Sequence, residues 1–344
     1  MLLLSPGMLN SIVSRWMLYG TLWMVAVGSG YAQDAPLPED LTTLGPEELL
    51  ALELIPIDVL GAHIHPKGVW MAGYRFGSMH MKPAHGLHDR AYALEPKAMH
   101  TGMHMVEAMY GITDRLTLAA MLSYQRSILR LQTTEGMRYR ITASGLGDVQ
   151  IALHYALRAS MVHYLTSFAG LSLPVGRVNL WSDRLPRPLP YAMRPGSGTW
   201  DMLIGLASIH RLKDWNLGVH GDALWRIGKN TYGYRLGHRI HAGAWATYRL
   251  WSWLAFTMHV DGHLLGDVSG RDARLDPHVS PMDDPALQGD RHVMVQPSIN
   301  IYLPKGPLRG MRWALHLDLP LKVWHETAAM EMHRQWILAL QWAW

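Results

Sequence analysis

The sequence predicts an all-β protein, an antiparallel transmembrane β-barrel of about 12 strands of the outer-membrane type, on three observations. The final nine residues place Trp336, Leu338, Leu340, Trp342 and Trp344 on one strand face and Ile337, Ala339, Gln341 and Ala343 on the other. That is strict period-two alternation, and so much apolar area on one terminal face needs a partner that lipid can supply. An export signal at the start and a regular succession of long and short connections between alternating segments are the second and third observations.

The export signal comes first in the chain. Arg15 precedes an uncharged run from Trp16 to Val27, and Gly30 and Ala32 supply the small residues suited to cleavage after Ala32. The run is shorter than the ~18 to 20 residues a spanning helix needs, which favours a signal peptide over residues 1–32. A periplasmic segment, 33–67, is expected next. Within it Gly45-Pro46-Glu47-Glu48 opens a short helix that continues through Leu49, Leu50, Leu52 and Leu54 and stops at Pro56. This helix is expected either to dock beneath the barrel or to fold into its lumen as a plug.

From Gly68 the chain reads as barrel, 68–344. Strands are expected at about 68–81, 99–110, 115–131, 147–156, 162–173, 199–211, 215–227, 237–250, 253–266, 290–303, 310–321 and 334–344. Gly111–Asp114, the turn near Ala159, Leu212–Asp214, Trp251-Ser252 and Pro304–Arg309 are tight connections for the periplasmic side. Lys82–Ala98, Gln132–Leu146, Pro174–Gly198, Gly228–Leu236, Asp267–Gly289 and Lys322–His333 are long ones for the outside. An even strand count puts both ends in the periplasm.

Several strands carry one apolar face with an aromatic edge, as in Leu116, Leu118, Ala120, Leu122 and Tyr124, or Trp313, Leu315, Leu317, Leu319 and Leu321. The opposite faces are polar: Asp148, Gln150 and His154; Asn216, His220, Asp222 and Arg226; His259, Asp261 and His263; His292, Gln296, Ser298 and Asn300; Arg312, His316 and Asp318. A soluble sandwich would bury the apolar faces against each other, and the ensemble of signal, terminal strand, loop alternation and aromatic edges favours the barrel. Strands 162–173 and 199–211 do not alternate cleanly, so their facing stays unassigned.

Cysteine is absent, which removes disulfides, thiolate metal sites and a cysteine nucleophile. The net charge of +4 is spread along the chain, so no nucleic-acid footprint is present. Gly196-Ser197-Gly198 lacks a full nucleophile elbow, and His325-Glu326 has no second histidine at zinc-protease spacing. The chain is therefore expected not to be an enzyme; an enzymatic reading would need a serine and a histidine brought together at the rim.

Methionine, at 22 residues, and histidine, at 20, are the unusual side chains. With Tyr74 and Phe76 toward lipid, Met71, Arg75, Met79 and Met81 face the lumen, as do Met103, Met105, Glu107, Met109 and Met121. Met79, Met81, Met103 and Met105 then form a candidate soft-metal site for copper, because thioethers suit Cu(I). Methionine is also a flexible filler that occupies a narrow lumen without binding anything. The same facing turns His104 toward lipid. His80, His85, His88, His100 and His104 gather near one rim. His259, Asp261 and His263 lie two apart on one strand, roughly 6.5 to 7 Å between successive members, too far for one ion to take all three.

Gly68-Val69-Trp70-Met71-Ala72-Gly73-Tyr74-Arg75-Phe76, Gly145-Leu146-Gly147-Asp148-Val149, Gly170-Leu171-Ser172-Leu173-Pro174-Val175-Gly176 and Gly196-Ser197-Gly198-Thr199-Trp200-Asp201 occur in an order that resembles a broad family of outer-membrane transporters. That family includes proteins labelled as belonging to the MetA pathway of phenol degradation. The resemblance covers most of the barrel and implies a channel for small molecules, often aromatic or hydrophobic, without supplying binding residues.

The functional expectation is a channel in the Gram-negative outer membrane that passes a small solute, with copper or soft-metal transport as the alternative. Its partners are the lipid bilayer, the barrel-assembly machinery and a small-molecule or ion substrate; nucleic acid is not among them. Arg75, Glu107, His220, Asp222, Arg226, His259, Asp261, His292 and His316 are expected to line the path.

Overall fold

The computed structural model describes residues 59, 63–84, 92–160, 162–303, 306, 308–324 and 328–344. The expected signal peptide, the helix after Gly45, and His85 and His88 lie outside these residues. The strand segments are β1 (Trp70–Pro83), β2 (Leu94–Thr113), β3 (Leu116–Thr133), β4 (Arg138–Leu146), β5 (Val149–Ala159), β6 (His163–Leu173), β7 (Trp200–Arg211), β8 (Trp215–Ile227), β9 (Tyr234–Arg235), β10 (Arg239–Trp251), β11 (Leu254–Leu265), β12 (Ser269–Gly270), β13 (Asp290–Tyr302), β14 (Met311–Val323) and β15 (Met330–Ala343).

Every pairing is antiparallel, successive strands of the wall pair with one another, and β1 pairs with both β2 and β15, so the sheet closes. The short β9 and β12 pair with each other outside the wall. β3 pairs first with β4 and then with β5, so those two segments form one stave bent at Gly147-Asp148. Among the described residues the barrel thus has twelve staves. The closing seam runs from Met71 opposite Ala343 to Pro83 opposite Met330, and the backbones of Trp70 and Trp344 exchange hydrogen bonds of 3.0 and 2.9 Å.

Apolar side chains cover the outside. Leu153, Ile204 and Leu315 are 46%, 50% and 50% exposed, a burial pattern that makes sense only against lipid. Trp70, Trp215, Tyr248, Trp251, Trp253, Trp313, Trp342 and Trp344 mark the short-turn end, and Trp200 and Trp225 stand at the other, in the manner of aromatic girdles. His104 does face outward, and Tyr74 resolves the cost: its hydroxyl lies 2.7 Å from His104 Nδ1, so a hydrogen bond accounts for that ring nitrogen beside Phe76.

One expected long loop is largely strand. Residues 138–146, placed in the connection Gln132–Leu146, form β4 and pair with β3 from Gln132 opposite Arg138 to Tyr124 opposite Leu146. Their alternation is inverted relative to the staves below. Arg138 and Arg140 point out while Ile141 and Ala143 are buried inside, because this hairpin rises beyond the apolar belt and its outer face meets water. β2 likewise begins at Leu94 rather than near 99, and β15 at Met330 rather than 334.

Candidate functional site: the barrel lumen

Two clusters of buried side chains pack inside the lumen, one toward each end. At the short-turn end, the last residues of the expected periplasmic segment enter the mouth. Val59 and Ile64 pack with Ala156, Tyr164, Ile209 and Trp245 of the inner wall. The Ile64 amide donates to Tyr164 Oη at 3.1 Å, and the His65 amide donates to Thr117 Oγ1 at 2.8 Å. At the opposite end, Leu189 and Met193 from the β6–β7 connection and Met282 from the β11–β13 connection pack on Met99, Leu129, Leu131, Ile141 and Ala143.

Charge holds that outer lid in place. Arg194 donates to Asp272 Oδ2 at 2.9 Å, to Tyr234 Oη at 3.0 Å and to the Leu189 carbonyl at 2.8 Å. Arg274 clamps the same carboxylate through two bonds of 2.9 and 2.7 Å. Burial alone would raise the Asp272 carboxyl, but hydrogen bonds from Arg274 and Arg194 and the Arg194 charge outweigh it and hold the group down to about 2. Asp283 pairs with Arg187, yet its burial dominates and pushes its carboxyl up to about 6.

The glycine-rich motifs meet beneath the lid. Asp148 accepts from the Gly176 amide at 3.0 Å, from the Ser197 amide at 2.9 Å and from Ser197 Oγ at 2.6 Å. Three stretches distant in sequence are therefore tied to one carboxylate at the base of the β6–β7 connection. Ser197 spends its hydroxyl on that anchor and has an aspartate, not a histidine, beside it.

Between the lids, the wall divides into two halves. β5 to β8 turn Ala152, Phe168, Leu203 and Leu224 inward as a contiguous apolar cluster. This settles the facing of β6 and β7: their inward faces mix apolar Tyr164, Phe168, Leu203, Ala207 and Ile209 with polar Thr166, Ser172, Asp201 and Arg211, which is why their alternation fades in the sequence. Glu107, Met121, Gln150, Ala152, His154 and Leu203 surround a small cavity beside this cluster. Phe168 stacks on His154 with ring centroids 5.4 Å apart and lies in the space before Gly205, where a Cβ would come within 2.3 Å of the ring.

β8 to β14 make the other half. One rung carries Asp222, His241, His263 and His292 on four neighbouring strands. The ring centroids of His241 and His263 are 4.4 Å apart, those of His263 and His292 4.7 Å, and His241 Nδ1 lies 3.5 Å from Asp222 Oδ1. The next rung carries His220, Gly243 and Asp261. His220 Nε2 reaches across Gly243 to His259 Nε2 at 3.0 Å.

The nine residues expected to line a path fall on the inner face, but as interlocked groups rather than a uniform lining. Arg75 pairs with Glu107 at 3.2 Å and also donates to Met121 Sδ at 3.5 Å. Arg226 pairs with Asp201 at 2.7 Å, His292 Nδ1 lies 2.9 Å from Asp290, and His316 is buried on β14. His259, Asp261 and His263, judged too far apart along the strand for one ion, fall into two groups. Among the described residues, His220, His259 and Asp261 bring ligand atoms within 4.8 Å of one another, and His263 instead joins Asp290 and His292. Cross-strand partners made this grouping, so spacing along β11 alone could not show it.

The four methionines do not converge. Met105 lies opposite Arg75, Met103 opposite Gly77, Met79 opposite Thr101 and Met81 opposite Met99, one per inward rung. Met81 also packs into the apolar base of the outer lid. Successive rungs are roughly 6.5 to 7 Å apart, so a single ion cannot collect all four. His80 and His100 share a rung, and His100 Nε2 lies 3.0 Å from Ser78 Oγ.

No protein-family model matches the sequence, and no curated protein matches it. Solved structures do. An outer membrane channel from Pseudomonas putida F1 aligns over 85% of this chain and 100% of its own at 15% identity, with a TM-score of 0.57. The chain has the fold of an outer-membrane β-barrel. Autotransporter β-domains also match: that of Bordetella BrkA covers 81% of this chain and 100% of its own at 9% identity and a TM-score of 0.47. The transport unit of Escherichia coli AIDA-I covers 85% and 94% at 11% identity and 0.46. At the level of fold, the Pseudomonas likeness agrees with the resemblance read from the glycine-rich motifs.

Proposed function

We propose that this protein is a non-enzymatic channel of the outer membrane that passes a small hydrophobic or aromatic solute. The observation that carries the reading is the apolar half of the lumen. Barrel interiors are ordinarily polar, so Phe168, Leu203, Leu224 and Ala152 facing inward supply a surface with no role against lipid and a good match to an apolar guest. Packing at both mouths supports gated passage rather than free diffusion. A solved barrel of similar fold is described as an outer membrane channel. Insertion by the barrel-assembly machinery belongs to the same proposal, on the strict alternation of β15.

Uptake of a labelled monoaromatic hydrocarbon across outer membranes with and without the protein tests the reading. Uptake is expected to rise with the protein and to return to background in Ala152→Phe, which fills the cavity beside Leu203. Equal uptake in all three membranes would contradict it.

A further inference from the structure

The histidine half of the lumen contains a group that stands apart from the apolar cluster on which the proposed passage rests. His259 and Asp261 stand two apart on β11 and so share its inner face, while His220 stands on β8. β10 runs between those strands and opposes them with Gly243, and a Cβ there would lie 2.7 Å from His220 Nε2 and 2.6 Å from His259 Nε2. Glycine at this rung leaves the opening through which the two rings meet.

We propose that His220 Nε2, His259 Nε2 and a carboxylate oxygen of Asp261 ligate one divalent transition-metal ion of the zinc class within the lumen wall. Bonds of roughly 2.0 to 2.1 Å in a tetrahedron separate neighbouring ligand atoms by about 3.3 Å. Two edges of the group bracket that value: His220 Nε2 is 3.0 Å from His259 Nε2 and 3.7 Å from Asp261 Oδ1. Two imidazoles and a carboxylate suit zinc, cobalt or nickel better than Cu(I), which prefers sulfur. Three protein ligands leave a fourth position for water or a passing anion. An ion would also neutralise the buried Asp261 carboxylate, and Trp245, whose ring centroid is 6.0 Å from each histidine, would shield one side.

The neighbouring group of His263, Asp290 and His292 is the competing location. Its Asp290–His292 and Asp290–His263 edges, 2.9 and 4.0 Å, are less even.

Titrating Co²⁺ into the folded full-length protein in detergent, followed by displacement with Zn²⁺, tests the assignment. One ion per barrel is expected, with the intense visible absorption of four-coordinate cobalt. His220→Ala and His259→Ala should each weaken binding beyond the roughly 10- to 100-fold typical of outer-shell losses, and Gly243→Ala should weaken it by about tenfold. His292→Ala should leave it unchanged. Heat-modifiable migration on a denaturing gel checks that each barrel is folded, and Asp261→Asn, which preserves shape, replaces any alanine variant that is not. Absence of a cobalt signal would overturn the proposal, as would binding that survives both histidine variants or is lost only in His292→Ala.

Discussion

The two halves of the lumen are built on one ladder, with the same strand period and continuous rungs, yet they fill their space in opposite ways. On a single rung, Phe168, Gly205, Asp222, His241, His263 and His292 follow one another across six strands. At one end of it a ring covers a glycine by apolar packing; at the other, imidazoles stack beside carboxylates. Each half uses a glycine to make room, Gly205 for Phe168 and Gly243 for the His220–His259 contact. Backbone geometry therefore fixes where inward side chains go, and side-chain chemistry alone decides whether a half accepts an apolar guest or a charged one.

Substitutions that swap chemistry between the halves should break this contrast most sharply. Leu203→Asp puts a carboxylate among Ala152, Phe168 and Leu224, and should destabilise the barrel by at least about 3 kcal/mol, read as a lower midpoint in urea unfolding from lipid vesicles. Gln296→Glu, opposite His259 on the polar half, should shift that midpoint far less. Equal losses would mean that the halves do not differ. Phe168→Ala should cost about 3 kcal/mol by the same measurement, with raised uptake of bulkier aromatic solutes through the space left in front of Gly205. Gly243→Ala crowds both facing imidazoles and the Val260 carbonyl oxygen, which a Cβ would meet at 2.8 Å, and should cost about 2 kcal/mol, since the rings can turn aside but the backbone must shift.

The smallest effect concerns the lid and depends on pH. Asp272 is held down to about 2, below its ordinary value near 4, so its contribution is present above about pH 4 and is lost as pH falls toward 2. Asp283 is pushed up to about 6, so the folded lid binds a proton more tightly than the unfolded chain does and its stability declines as pH rises from about 4 to 6. Resistance of the 266–289 connection to proteolysis should therefore be greatest near pH 4. Asp283→Asn should flatten the decline above that pH, and a resistance that rises steadily from pH 4 to 7 would contradict the assignment.

The outside of the barrel was legible in the sequence because lipid enforces one rule on every stave. Alternation in β15 anticipated its facing, and the loop lengths anticipated most of the connectivity. Three features escaped for physical reasons. β4 reverses the apolar and polar faces where the hairpin leaves the belt, so a search for lipid-facing alternation passes over Arg138–Leu146. β6 and β7 are apolar on both faces at Phe168 and Leu203, which erases their period. The His220, His259 and Asp261 group is assembled across β8, β10 and β11, and depends on Gly243 being small; strand spacing identified the residue types without identifying their partners. The motifs around Gly145–Asp148, Pro174–Gly176 and Gly196–Gly198 were visible as patterns, but only the fold shows that they share the Asp148 carboxylate.

Single-channel conductance in planar bilayers tests the central claim, a lumen closed at its outer mouth and apolar along one half. The intact protein should show no steady ionic current, and Arg194→Ala, which removes three contacts holding the lid, should show discrete openings that a monoaromatic solute blocks more strongly than a sugar of similar size. A steady current through the intact barrel, unchanged by Arg194→Ala and indifferent to aromatic solutes, would contradict the account.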